Sequence, residues 1–272
     1  MLAEFIVLFR ETLEAAFVIG IILAYLHKTK NADQEKHVWS GVASGIVFSL
    51  ILGYLFQFIS GGFDSNEELF EGIFMIATSL LVSWFLIWMI NQKHIVQSLQ
   101  AEVKVALEKN APWALFSVAF TSIAREGVES VLFLSGIYST TGALSVLGGL
   151  LGLVAAVILG ILVFEYAMKF NISLFFNLTT VLLVLLAAGL FSQGIHELQE
   201  AHVLPIWIEH IYDINPHVLS DGSFALLHEK GAIGSIFKGL IGYDGNPSDL
   251  QVLGYLLYLT CFFSYWKFSN SK

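Results

Sequence analysis

Two short stretches carry charge where charge is costly: Arg10-Glu11-Thr12-Leu13-Glu14 and Arg125-Glu126-Gly127-Val128-Glu129. Each sits inside an otherwise apolar run, residues 3–26 and 112–137. A charged side chain at the centre of a membrane helix costs about 2.5–3.5 kcal/mol, against about 0.3–0.6 returned by each Leu, Ile, Val or Phe. At about 100° per residue, the arginine and both glutamates of each motif fall in one wedge of the helix. Lipid cannot be their neighbour, so both wedges are expected to face the interior of a helix bundle.

The chemistry of such a wedge is cation binding. Carboxylate oxygens are ligands for hard cations, and a cluster without Cys or His disfavours soft metals. Ferric iron, manganese, calcium and magnesium fit this donor set, and ferrous iron is borderline. Each arginine stands one turn before the second glutamate, where it can hold the acids when no metal is bound. Two arginines and four glutamates sum to −2, which a divalent ion balances and a trivalent ion overshoots by one. Two other readings compete. A structural lock between helices needs one acid per arginine, and here each arginine has two. A proton relay is the other use of clustered membrane carboxylates.

Further acids lie toward one end of the predicted bundle. Glu4 is two turns before Glu11 on nearly the same azimuth, so it is expected above the site. Glu68 and Glu71 form an i, i+3 pair where the third helix begins, and Glu197 and Glu200 form another just past the sixth. Such pairs suit a cation-collecting vestibule, because negative walls raise the local cation concentration. The first pair also fits ordinary acids at a helix N-terminus. His196 is a candidate third outer ligand. The stretch from His196 to His202 is not a zincin motif, since Glu200 holds the position that His-Glu-x-x-His gives to its second histidine.

The elements that position these residues are membrane helices. Of 272 residues, 56% are hydrophobic and 13% charged, which excludes a soluble domain. Apolar length and turn signals predict seven transmembrane helices at about 3–26, 38–59, 70–91, 112–137, 143–168, 174–194 and 250–268. Arg10 and Glu11 interrupt what would be the core of a signal peptide, so the first helix is expected to be retained. Lys28, Lys30, Lys36, Lys93, Lys104, Lys109, Lys169, Lys267 and Lys272 fall on one side, which the positive-inside rule makes the cytoplasm. The N-terminus is then outside and the C-terminus inside.

The predicted fold is an all-α polytopic single membrane domain of two inverted three-helix repeats plus a seventh helix. Repeat one spans about 3–91, a cytoplasmic connector 92–111, repeat two 112–194, an outer loop 195–249 and the seventh helix 250–268. Gly41/Gly45 and Gly148/Gly152 near the start of each second helix agree with a repeat, although such glycines also serve simple close packing. The connector reads as a short amphipathic helix at 101–109. The outer loop holds five of the eight histidines, and its Trp207, Ile208, Ile211 and Tyr212 either lie on the membrane surface or fold back over the bundle. Glu165 and Lys169 read as an ion pair. Tyr25, Tyr54, Trp84, Trp88, Tyr138, Tyr166 and Trp266 read as interfacial aromatics. A single cysteine, Cys261, excludes an intramolecular disulfide and a cysteine metal cluster.

The paired R-E-x-x-E motifs resemble those of the oxidase-dependent iron transporter family, with its bacterial EfeU-type and fungal high-affinity iron permeases. The resemblance covers nearly the whole chain. It includes Glu68-Leu69-Phe70-Glu71-Gly72, similar to the family's outer E-x-x-E-G, and Gly194 to Glu200 after the sixth helix. Thr12 stands where many members carry glycine. The resemblance implies iron uptake across a bacterial cytoplasmic membrane, with Glu11, Glu14, Glu126 and Glu129 as transport ligands and Glu68 and Glu71 binding iron outside. It also implies ferric iron delivered after oxidation by a separate periplasmic or extracellular iron-oxidising or iron-binding protein. Iron is then a substrate and not a resident cofactor; a homo-oligomer is compatible, and no nucleic-acid partner is expected. The competing functions are a permease for manganese or another divalent cation and a metal-sensing membrane subunit that does not transport.

Overall fold

In the computed structural model, residues 1–60, 67–90, 101–105, 107, 112–165, 172–215, 224–231 and 233–270 are described. All regular structure among them is helical. The helices are α1 (Leu2–Lys28), α2 (Glu35–Ser60), α3 (Glu67–Ile90), α4 (Pro112–Thr141), α5 (Val146–Glu165), α6 (Ile172–Glu200), a short α7 (Gly234–Ile241) and α8 (Asp249–Asn270). Helices cover the apolar runs read from the sequence, because uninterrupted apolar sequence in a membrane has no other way to satisfy its backbone. Among the described residues, four stretches are long and apolar enough to cross a membrane: Ala32–Leu55, Glu68–Trp88, Val146–Phe164 and Asn177–Glu200. The chain is therefore a multi-pass membrane protein. Residues 101–105 of the connector are helical as expected, while Lys93, Lys109, Lys169 and Lys272 lie outside the described residues. So does the expected Glu165–Lys169 pair.

The helices associate in a reciprocal pattern. α1 lies along α5, α2 along α4, α3 against α6, and α1 against α4. The glycines are where this close approach is made. A Cβ on Gly41 would meet the Phe116 carbonyl and the Phe120 nitrogen of α4, and Cβ atoms on Gly148 and Gly152 would overlap the Met1 and Phe5 carbonyls of α1. Met1 and Phe5 stand in α1 where Phe116 and Phe120 stand in α4, counted from the charged motifs, so both contacts are the same contact made twice. Gly53 facing Val131 and Gly160 facing Ala16 repeat the correspondence one level further on. In lipid such pairs associate through van der Waals packing and small residues rather than through water exclusion. Gly148→Leu is accordingly expected to destabilise the solubilised protein by about 3 kcal/mol or more, because backbone on the opposite helix cannot yield as a side chain does. Thermal unfolding in detergent measures it.

Two apolar clusters flank the charged motifs. Ala3 and Val7 of α1 join Leu132, Phe133 and Ile137 of α4 with residues of α3, α6 and α8 in one. Val18, Ile19, Ile22 and Leu26 of α1 join Leu115 and Ala119 of α4 in the other. Along both helices the charges thus form a polar layer between apolar ones.

The structure corrects the sequence reading at the end of α6. The helix continues to Glu200, so Glu197 and Glu200 lie in its last turns rather than beyond it. It stops at His202, which takes the left-handed conformation (φ 57°). There the His202 N–H donates to the Gln199 carbonyl and the Val203 N–H to the Leu198 carbonyl, the Schellman arrangement that closes a helix.

The described part of the segment after α6 folds back against the bundle. α7 packs against α6, α4 and α1. Its C-terminal Gly242 (φ 67°) meets Gly189 of α6 backbone to backbone, eleven residues and about 16 Å below the end of that helix. Three side-chain bonds hold the descent. The Asp244 carboxylate accepts from the amides of Gln193 (3.4 Å) and Gln251 (3.1 Å), and Tyr255 Oη donates to the Ile241 carbonyl at 2.8 Å. Trp207, Ile208, Ile211 and Tyr212 stay exposed in the irregular stretch before it.

Candidate metal centre

The two charged motifs meet where α1 crosses α4. One carboxylate oxygen from each of Glu11, Glu126 and Glu129 lies within 4.8 Å of the others, and all three residues are buried. The second oxygens of Glu11 and Glu126 are buried with no hydrogen-bond partner. Buried, unpartnered carboxylate oxygens are costly, and a cation is the partner that removes the cost.

The arginines are used unequally. Arg10 is completely buried and donates through Nη1 to Glu11, while its Nη2 lies 2.7 Å from Glu14. That ion pair holds Glu14 at the edge of the three-carboxylate group rather than within it. Arg125 donates through Nε to Glu129 Oε1 at 2.9 Å and is 23% exposed. Its guanidinium carbon lies 3.7 Å from the ring centre of Trp88 on α3. Trp88 is therefore more than the interfacial aromatic expected of it. Nothing in the sequence ties α3 to α4 at this position, so its partner was not readable.

The acids at the start of α3 and the end of α6 are neighbours. Glu197 has Glu71, Glu200 and Glu68 as charged neighbours, with Lys238 the nearby cation. The start of α3 and the end of α6 approach closely enough that a side chain on Gly72 or on Gly194 would run into the other's carbonyl. His196 does not stand apart as a ligand; its Nε2 lies 3.3 Å from Glu200. Glu4 is also engaged elsewhere. Its carboxylate is 2.6 Å from the Met1 ammonium and accepts the Ser145 N–H at 2.8 Å, tying the start of α1 to the start of α5.

One polar group does not show in the sequence pattern: Gln193, Asp244 and Gln251, joined through the Asp244 carboxylate. The available signal was that Gln193 lies one turn below Glu197 on the same face of α6.

With helices as the regular structure among its described residues, several apolar spans and buried carboxylates from two like-patterned helices, the chain has the build of a membrane carrier for a hard cation. Comparison with known sequences gives the family: the iron permease FTR1 family matches residues 1–268, and the chain belongs to it. The relatives include the ferrous iron permease EfeU of Escherichia coli O6:K15:H31, 31% identical over 264 residues that cover 95% of this chain and 92% of that protein. The ferrous iron permease EfeU of Yersinia pestis is likewise 31% identical, with 95% and 90% covered. No solved structure matches the chain.

Proposed function

We propose that the chain carries iron inward across the cytoplasmic membrane, with Glu11, Glu126 and Glu129 as the ligands at mid-depth and Glu14 joining them when Arg10 releases it. The observation that carries this is the convergence of three buried carboxylates from α1 and α4, two of them with unpartnered oxygens. The Glu68, Glu71, Glu197 and Glu200 group then collects cations at the outer mouth. The reciprocal helix contacts and duplicated glycine contacts support a seven-span inverted repeat with the N-terminus outside. The apolar layers on either side of the charges keep water from the site, which strengthens its electrostatics.

For the valence, the −2 sum of the two motifs favours a divalent ion, and the relatives are named for ferrous iron. The ferric reading, with delivery by an oxidising partner, rests on the earlier resemblance alone. Manganese shares the charge balance. A sensor that does not transport would collect metal with the same acid group and is told apart by uptake itself. Uptake by the purified full chain in proteoliposomes decides among them, with ferrous iron under reductant, ferric citrate and manganous ion as substrates. Ferrous iron is expected to accumulate fastest and to be displaced only weakly by manganese. Absence of any iron accumulation would refute transport.

A further inference from the structure

The two halves of the site share a motif but not an arrangement. In α1 the arginine clamps both of its glutamates, Glu11 through Nη1 and Glu14 through Nη2. In α4 the arginine reaches only the second glutamate, through Nε, and its guanidinium carbon lies over the Trp88 ring. The contact Arg125 does not make is available to it: Arg10 shows that an arginine in this motif reaches the glutamate next to it in sequence. Glu126 is the position left over, 6% exposed and with Oε2 unpartnered.

We propose that Trp88 is a positioning residue for cation binding. Its ring holds the Arg125 guanidinium aside and so keeps the Glu126 carboxylate open to the incoming ion. The proposal rests on the transport reading and adds what sets the affinity of its site. A guanidinium stacked on an indole face is attracted by the ring quadrupole and, away from water, held firmly enough to choose between two nearby partners. With Nε committed to Glu129, the ring fixes where the two Nη groups go. Without it, Arg125 is free to close on Glu126 as Arg10 closes on Glu11, and the cation must then compete with a second full clamp. The same asymmetry gives the site one doubly clamped half and one half with a carboxylate that its own arginine does not engage.

The test is the concentration dependence of ferrous iron uptake by the full chain in proteoliposomes, for wild type, Trp88→Phe, Trp88→Leu, and Trp88→Leu combined with Arg125→Gln. Trp88→Leu is expected to raise KM about tenfold with the maximal rate near wild type, the scale of a desolvated cation–ring contact. Trp88→Phe, which keeps an aromatic face, is expected to stay within about threefold of the wild-type KM. In the Arg125→Gln background, Trp88→Leu is expected to change nothing further. Affinity for manganous ion, measured by calorimetry on the same proteins in detergent, provides a second readout with the same expected order. An unchanged KM in Trp88→Leu, an equal rise in Trp88→Phe, or the same rise persisting without Arg125 would each overturn the proposal and assign Trp88 to membrane anchoring. If wild type accumulated no iron, the transport reading would fall, and the manganous affinities would still decide the role of Trp88.

Discussion

Glu126→Gln is expected to lower iron uptake at least about 100-fold while leaving the protein as stable as wild type or more so. The substitution keeps the shape and removes one of the three converging charges. At a water-excluded site the loss of one charged ligand is worth about 3 kcal/mol or more, which is the 100-fold. Stability moves the other way because Glu126 Oε2 has no protein partner, whereas a Gln amide can donate to Glu11 or Glu129. Such an opposition of stability and activity marks a position kept for binding. Glu68→Gln provides the contrast. Glu68 is exposed at the outer end of α3, so its loss is expected to slow uptake a few-fold at low iron and not at saturation. Uptake rates and thermal unfolding of the two variants, side by side, test both statements. A Glu126→Gln protein that transports like wild type would show that the ion does not pass through the three-carboxylate site.

Much of this was legible because the membrane makes charge informative. Arg10, Glu11 and Glu14 had to share a wedge facing protein, and a second copy at Arg125, Glu126 and Glu129 had to face the first. Where the helices lie followed from apolar length for the same reason, although the end of α6 did not. Three features were not legible. The unequal use of the two arginines depends on Trp88, a residue whose type and place near a helix end fit a membrane anchor equally well. α7 is eight residues long and carries no strong local signal; its place against α6 depends on Gly242 settling against Gly189, a contact between distant parts of the chain. The partners of Glu4 are the third: azimuth places it two turns from Glu11, and only the structure shows that the Met1 ammonium and the Ser145 N–H hold its carboxylate. Periodicity tells which way a side chain points and not which of two neighbours it meets.

Arg10→Leu is expected to make the stability of the protein depend on metal. Arg10 is completely buried and neutralises part of the charge of Glu11 and Glu14. Removing one partner of a buried ion pair costs about 3–5 kcal/mol, because the charges left behind are neither solvated nor paired. The sum over both motifs goes from −2 to −3. A divalent cation then restores what the arginine supplied, and ligand binding to the folded state alone raises stability by about 1.4 kcal/mol for each tenfold excess over Kd. The variant without metal is therefore expected to unfold well below wild type, and saturating manganous or ferrous ion to recover most of the difference while shifting wild type much less. Arg10→Lys is expected to fall between, since one ammonium cannot bridge two carboxylates as the guanidinium fork does. Uptake separates this role from simple packing. With the competing cation gone, KM is expected to fall and the maximal rate to fall with it, because an ion held too tightly leaves slowly. Equal metal-induced shifts in the variant and wild type would count against Arg10 as the stand-in for the absent ion, and a loss of stability that no metal repairs would assign it to packing alone.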